Sequence, residues 1–273
     1  ILDLRPVPPT PALGAATPIV GDIRDTPMLV DLLRRQHIEA VVHFAGLRSV
    51  AESMGDPGGY IDTNVIGSLS VLRAMVEAGT PSFVFSSSCS VYGTPARIPA
   101  DETLPFAPES PYGASKVAVE QMLPWFARSH GLRAMSLRYF NAAGAAMDAT
   151  LGEDWDRSPM LIPNLIKAAL GQRGPLDIYG SDYPTPDGTA IRDYVHVVDL
   201  ADAHVRALRF LESASPGTVL AVNLGTGVGS SIREVIDVVT KVGGRPVPVR
   251  WTDRRPGDPA RVWADPSLAM ATL

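Results

Sequence analysis

A single cysteine, Cys89, in 273 residues excludes an internal disulfide, and so sparing a use of thiols suits a reducing cytoplasm. No apolar run approaches the roughly twenty residues of a membrane-spanning helix, and no signal-peptide pattern is recognisable, so a soluble, cytoplasmic protein is expected. Basic residues are fewer than acidic ones, 24 against 29, and the net charge of -5 argues against nucleic acid or a membrane surface as partner. An anionic small molecule would need a local basic pocket. The five histidines, His37, His43, His130, His196 and His204, lack ligand spacing and have no second cysteine beside them, so no metal is expected. No Gly-x-x-Gly-x-x-Gly turn follows a strand anywhere. Apolar side chains are plentiful, at 45% of the residues, enough to bury an α/β core with a second, smaller lobe.

The segment Ser110-Pro-Tyr-Gly-Ala-Ser-Lys-Val-Ala-Val-Glu120 puts a phenol at Tyr112 and an ammonium at Lys116, four residues apart and so on one face of a helix. A fixed cation close to a phenol favours the phenolate and can bring a weak base into working range. A solvated helix face has the same spacing, so the pair alone decides nothing. Upstream, Phe83-Val-Phe85 reads as a buried strand that breaks into Ser86-Ser-Ser88. Ligands of open parallel sheets bind outside the carboxyl ends of the strands, where these hydroxyls would lie. Ser87 and Ser88 both stand as the partner of Tyr112.

The serine, tyrosine and lysine together resemble the triad of the short-chain dehydrogenase/reductases, in their extended branch. More narrowly, the chain resembles the UDP-galactose (UDP-glucose) 4-epimerase family, in an ordered set of phrases: Gly21-Asp-Ile-Arg-Asp25, His43-Phe-Ala-Gly46, Asn64-Val, Ser86-Ser-Ser88, Tyr112 to Lys116, Arg138-Tyr-Phe-Asn141, Asp187-Gly-Thr, Arg192-Asp-Tyr-Val-His196, Asn223-Leu-Gly-Thr-Gly227 and Arg254-Arg255. The resemblance implies a doubly wound, Rossmann-type parallel sheet over 1–145 that binds NAD. A smaller, mainly UDP-sugar-binding lobe over 146–273 would follow, with some of its segments packing back on the first, and the protein would be a homodimer.

It also implies roles. Asp3 would hold the adenosine ribose and select NAD over NADP. The first strand, its glycine-rich turn and the following helix would then precede Ile1, and the chain without them is expected to hold NAD poorly. Asp22 and Ile23 would meet the adenine. The strand exit Phe44-Ala45-Gly46, with Arg48 where many relatives have lysine, would lie on the phosphate side, and Asn64, Tyr112, Lys116 and Tyr139 complete the cofactor set. Tyr112 would be the base, Ser88 would bond the reacting oxygen, and Lys116 would lower the Tyr112 pKa and hold the nicotinamide ribose. For the UDP-sugar the resemblance supplies Ser88, Asn141, Leu161, Tyr179, Arg192, Arg255, Asp258 and Val262. Valine at 262, where many bacterial relatives carry tyrosine, would leave room for an N-acetyl group, and Met160 replaces a polar residue of relatives. Cys89-Ser90 stands where dehydratases of the superfamily place an Asp-Glu pair, so dehydration is not expected. UDP-glucuronate or UDP-pentose epimerisation and a non-catalytic nucleotide-binding module are the rival readings.

Local signals predict further features. Thr26-Pro27 starts a helix, Gly79 ends another, and Pro124 is expected to kink the Tyr112 helix or end its regular part. Leu132 to Leu137 reads as an alternating strand, and Ser231 with Glu234 forms a capping box. Arg5 to Thr17, rich in proline, reads as a surface loop.

Overall fold

Successive side chains of a strand point to opposite faces, and Phe83-Val84-Phe85 shows the consequence. Phe83 and Phe85 enter one apolar cluster with Leu29, Leu72, Met75 and Leu123, whereas Val84 enters another with Met135, Leu137, Leu211 and Val222. A strand apolar on both faces belongs in the middle of a parallel sheet covered by helices on each side. The computed structural model describes residues 1–7, 10, 13–255 and 257–273. Pro8, Pro9, Pro11 and Ala12 of the proline-rich loop, and Pro256, lie outside the described residues.

The elements in chain order are β1 (Leu2–Asp3), β2 (Ile19–Val20), α1 (Thr26–Arg35), β3 (Ala40–His43), α2 (Val50–Gly55), α3 (Pro57–Tyr60), a wide π-turn (Ile61–Ile66), α4 (Gly67–Ala78), β4 (Ser82–Ser88), a 3₁₀ turn (Cys89–Tyr92), α5 (Pro111–His130), β5 (Arg133–Tyr139) and β6 (Asn141–Ala143). Then come α6 (Leu161–Ala169), β7 (Leu176–Tyr179), β8 (Ile191–Arg192), β9 (Tyr194–His196), α7 (Val197–Ser213), β10 (Val219–Leu224), β11 (Ser230–Ser231), α8 (Ile232–Gly243), β12 (Val249–Thr252), β13 (Arg261–Val262) and α9 (Ser267–Thr272). The main sheet runs β10-β5-β4-β3, parallel throughout. Among the described residues, β1 and β2 pair only with each other. Two late segments, α7 and β10, pack on or join the first sheet, while β7, β12, α6 and α8 build a separate apolar cluster around Leu165 and Ile178. No described helix is long and apolar enough to cross a membrane.

Four local expectations need correction. β4 does not break after Phe85 but continues to Ser88, because β5 pairs with it residue by residue to Tyr139. β5 is buried on both faces rather than alternating, as a central strand must be. Asp25, not Thr26, caps α1, its carboxylate accepting from Met28 N. α5 continues through Pro124 to His130: Val119, Leu123 and Ala127, four residues apart, are buried, and that packing outweighs one missing backbone donor. Gly79, at φ 79°, ends α4 in the left-handed region, and the Ser231–Glu234 capping box forms as expected.

Candidate active site

The site is assembled where β4 and β5 end and α5 begins. Ser110 starts α5 by accepting a hydrogen bond from Gly113 N at 3.1 Å. A Cβ on Gly113 would lie 2.6 Å from the Ser90 carbonyl oxygen, so only glycine lets the first turn of α5 rest flush on the turn after Ser88. That contact brings Tyr112 to the serine. The Ser88 hydroxyl accepts from Ser90 N at 3.2 Å, which is its plain capping role, and it also shares a hydrogen bond with the Tyr112 phenol. Ser87, the other candidate, points to the opposite face, where its hydroxyl donates to Glu120 Oε1 at 2.5 Å. Strand alternation separates the two serines.

Burial pushes the Tyr112 phenol up to about 12; the Ser88 hydrogen bond opposes this, Cys89 and Tyr60 add to it, and Arg48 pulls it down. Lys116 is buried, and its ammonium donates to the Ser86 carbonyl oxygen at 2.8 Å, 5.7 Å from the centre of the Tyr112 ring. Its own pKa is brought down to about 8 by burial, with Glu120 working the other way. The expected depression of Tyr112 by Lys116 is therefore not what this arrangement shows. Both groups are desolvated, and the ammonium is turned towards β4.

The other residues expected on the cofactor side occupy neighbouring positions. Asp3 ends β1 with its carboxylate accepting from Arg5 N at 2.9 Å, and Asp22, just past β2, is bound by Arg24 at 2.5 Å, which holds its carboxyl below the usual range. Ile23 is buried in the core. Phe44, Ala45 and Gly46 form an exposed turn beyond β3, and the Phe44 ring lies 4.7 Å from that of His204. Tyr139 also bonds His204 through its hydroxyl. Asn64 lies inside the π-turn, where it accepts from Leu47 N at 2.7 Å and donates to Leu47 O at 2.9 Å and Ser115 Oγ at 3.0 Å. It thereby orders the turn that carries Arg48, whose guanidinium bonds Glu153 at 3.1 Å.

Several residues expected at the UDP-sugar also converge. Arg192, in β8, faces Asp258 at 4.0 Å, and the Arg255 guanidinium stacks 3.8 Å from the centre of the Tyr179 ring. Asn141 joins them through its backbone, donating to Asp193 O at 2.8 Å, while Leu161 opens α6 beside the second-lobe cluster. Val262 differs from its expected place. It is buried in the main core with Val91, Ala100 and Ala264, so the missing tyrosine ring leaves no open wall at this position.

Other participants were not legible as such. The carboxylate of Asp193, fully buried, accepts from Thr226 N, Gly227 N and Ala264 N, which explains structurally why Arg192-Asp193 and Asn223 to Gly227 occur together. The hydroxyl of Tyr183 is buried near Arg192 and Asp258 without a partner among the described residues. His43, expected to be a core histidine, is one: it bonds Ser68 Oγ at 2.8 Å, and burial brings it down to about 3. His196 instead caps α7, accepting from Val198 N.

The model of the NAD dependent epimerase/dehydratase family matches residues 3–225. The chain belongs to that family. Within the NAD dependent epimerase/dehydratase family it is 45% identical to the UDP-glucose 4-epimerase of Rhizobium meliloti (strain 1021) over 253 residues, 93% of this chain and 76% of that protein. It is 43% identical to that of Lacticaseibacillus casei, over 93% of this chain and 76% of the relative. The crystal structure of UDP-glucose 4-epimerase from Brucella ovis in complex with NAD superposes with a TM-score of 0.92 at 46% identity, covering 96% of this chain and 80% of that one. The UDP-Glc/GlcNAc 4-epimerase of Campylobacter jejuni gives 0.80 at 36% identity, over 96% and 79%.

Proposed function

We propose that the protein catalyses the reversible, NAD-dependent inversion of C4 in a UDP-hexose, interconverting UDP-glucose and UDP-galactose. The observation that carries this reading is the meeting of Tyr112, Ser88 and Lys116 at the carboxyl end of a parallel sheet, in a chain so similar to UDP-glucose 4-epimerases. Its residues suit a dinucleotide. The buried Lys116 ammonium has three donors and spends one on Ser86, which leaves capacity for ribose hydroxyls. A Cβ on Gly46 would lie 2.9 Å from Asn64 Oδ1, so glycine keeps the exposed Phe44–Gly46 turn close against the sheet edge. Asp3, Asp22, Ile23, Phe44, Ala45, Gly46, Arg48, Asn64, Tyr112, Lys116 and Tyr139 would hold the cofactor.

When bound, NAD supplies the hydride acceptor for C4 and returns the hydride to the other face of the sugar. Tyr112 takes the proton of the 4-hydroxyl at its phenolic oxygen and gives it back after the 4-ketosugar has turned over. The Ser88 hydroxyl, already bonded to the phenol, orients the reacting oxygen. Arg192 and Arg255 match the diphosphate, Asp258 and Asn141 suit ribose and phosphate contacts, and Tyr179 and Leu161 flank the uracil. Release of Arg255 from the Tyr179 face would free both for the nucleotide. The test is to incubate the protein with UDP-galactose and NAD and follow UDP-glucose by NMR. Conversion by the wild type and none by Tyr112→Phe is expected. A Tyr112→Phe protein of near-normal rate would sink the reading.

A further inference from the structure

Arg48 sits in a turn clamped on both sides to the Tyr112 end of α5. On one side a chain of hydrogen bonds runs from Leu47 O through Asn64 Nδ2 to Ser115 Oγ, which donates to Tyr112 O at 2.7 Å. On the other, Ser49 exchanges two hydrogen bonds with the Tyr60 hydroxyl, at 2.6 and 2.9 Å, and the Tyr60 ring meets Tyr112 edge to face at 6.4 Å. The turn cannot shift without moving the groups that surround the catalytic phenol. From it the guanidinium reaches Glu153, 105 residues away, in the loop between β6 and α6. That loop is fastened to the second lobe: Trp155 donates to Gln172 at 3.1 Å, and Asn164 donates to Ser158 O at 2.9 Å. Glu153 is the better buried partner, its side chain 27% exposed against 59% for Arg48.

We propose that Glu153 is a positioning residue of the reaction, which holds the Arg48 guanidinium across the cleft and sets how much of its positive charge acts on the Tyr112 phenol. The inference rests on Tyr112 being the base. The groups facing that phenol are few. Ser88 and Cys89 follow from β4, Cys89 a neutral thiol that burial raises to about 11; Tyr60 and Tyr139 are phenols that burial raises; Lys116, on the same helix, turns to Ser86 O. Arg48 is the cation whose field opposes the burial of Tyr112, and Glu153 is the anion that bonds it. Two unlike charges at contact nearly cancel at a distance, so the pairing decides the net field.

Removing the negative charge leaves Arg48 uncompensated, favours the phenolate and lowers its pKa. Glu153→Gln should therefore move the acid limb of the kcat pH profile down by about half a unit or more, and Glu153→Asp should restore the wild-type limb. Arg48→Met should move it up. The decisive variant is the exchange Arg48→Glu with Glu153→Arg, which rebuilds the bridge with the negative charge beside the phenol. Its acid limb should move up; a return to the wild-type profile would mean that only the bridge matters, and would overturn the proposal. So would an unmoved limb in Glu153→Gln, including the case in which KM for the UDP-sugar alone changes. Circular dichroism checks that each variant folds. The parallel Tyr112→Phe control separates two failures: if it stays active, the reading of the base fails, whereas if it is silent and the Glu153→Gln limb is unmoved, only this inference fails.

Discussion

Ser87 and Ser88 are neighbours with opposite duties, and the difference is one of strand alternation. Ser88 faces the phenol, so Ser88→Ala should lower kcat by about 10²–10⁴ with little change in melting temperature. Ser87 donates to Glu120, so Ser87→Ala should cost about 1–2 kcal/mol of stability and leave kcat close to wild type. Urea unfolding and steady-state rates on both variants check the pair, and reversed outcomes would exchange the two assignments. His43 carries a pH signature. Its folded pKa of about 3 lies below the unfolded value of 6.5, so the unfolded state binds the extra proton between them. The stabilising contribution is complete above pH 6.5 and lost towards pH 3, at up to about 1.4 kcal/mol per pH unit. Melting curves from pH 7 to 4 should show this slope, and His43→Gln should flatten it.

At the scale of elements, α5 concentrates the contradictions. It carries the catalytic face in its first two turns, a proline in its interior and a 20-residue length that the proline does not interrupt. Pro124 is exposed and its nitrogen cannot donate, so Pro124→Ala should return one backbone hydrogen bond and raise stability by about 1–3 kcal/mol with activity unchanged. Calorimetry decides this; a lower melting temperature would mean that proline's restriction of the unfolded chain is the larger effect. Gly113→Ala should do the reverse. Its Cβ would press on the Ser90 carbonyl and lift the helix from the serine turn, lowering kcat more than a helix-favouring substitution normally could. The fall in kcat relative to wild type measures how closely the two elements must approach.

For the whole molecule, a buried ion pair joins the elements that carry the site. Arg138 of β5 and Glu120 of α5 meet at 2.6 Å with side chains 6% and 5% exposed, and Ser87 of β4 and Tyr92 after it complete the network. Arg138→Met would leave Glu120 uncompensated in the interior and should cost about 3–5 kcal/mol, whereas Arg206→Met, which breaks an exposed pair with Asp202, should cost under about 1 kcal/mol. Comparable losses in denaturant unfolding would refute the claim that burial makes the difference.

The sequence by itself determined the two-sided strand at Phe83 to Phe85, the helix that brings Tyr112 and Lys116 to one face, the capping box at Ser231 and the αL stop at Gly79. Each depends on periodicity or on backbone chemistry within a few residues, which a chain carries wherever it folds. Tertiary structure alone decided which serine meets Tyr112, where the Lys116 ammonium points, that Val262 fills core, and that Arg48 and Glu153 meet across 105 residues. It also overrode the stop expected at Pro124. These outcomes turn on strand register, burial and contacts between segments remote in sequence, and the energies involved exist only once the lobes have packed and water has left.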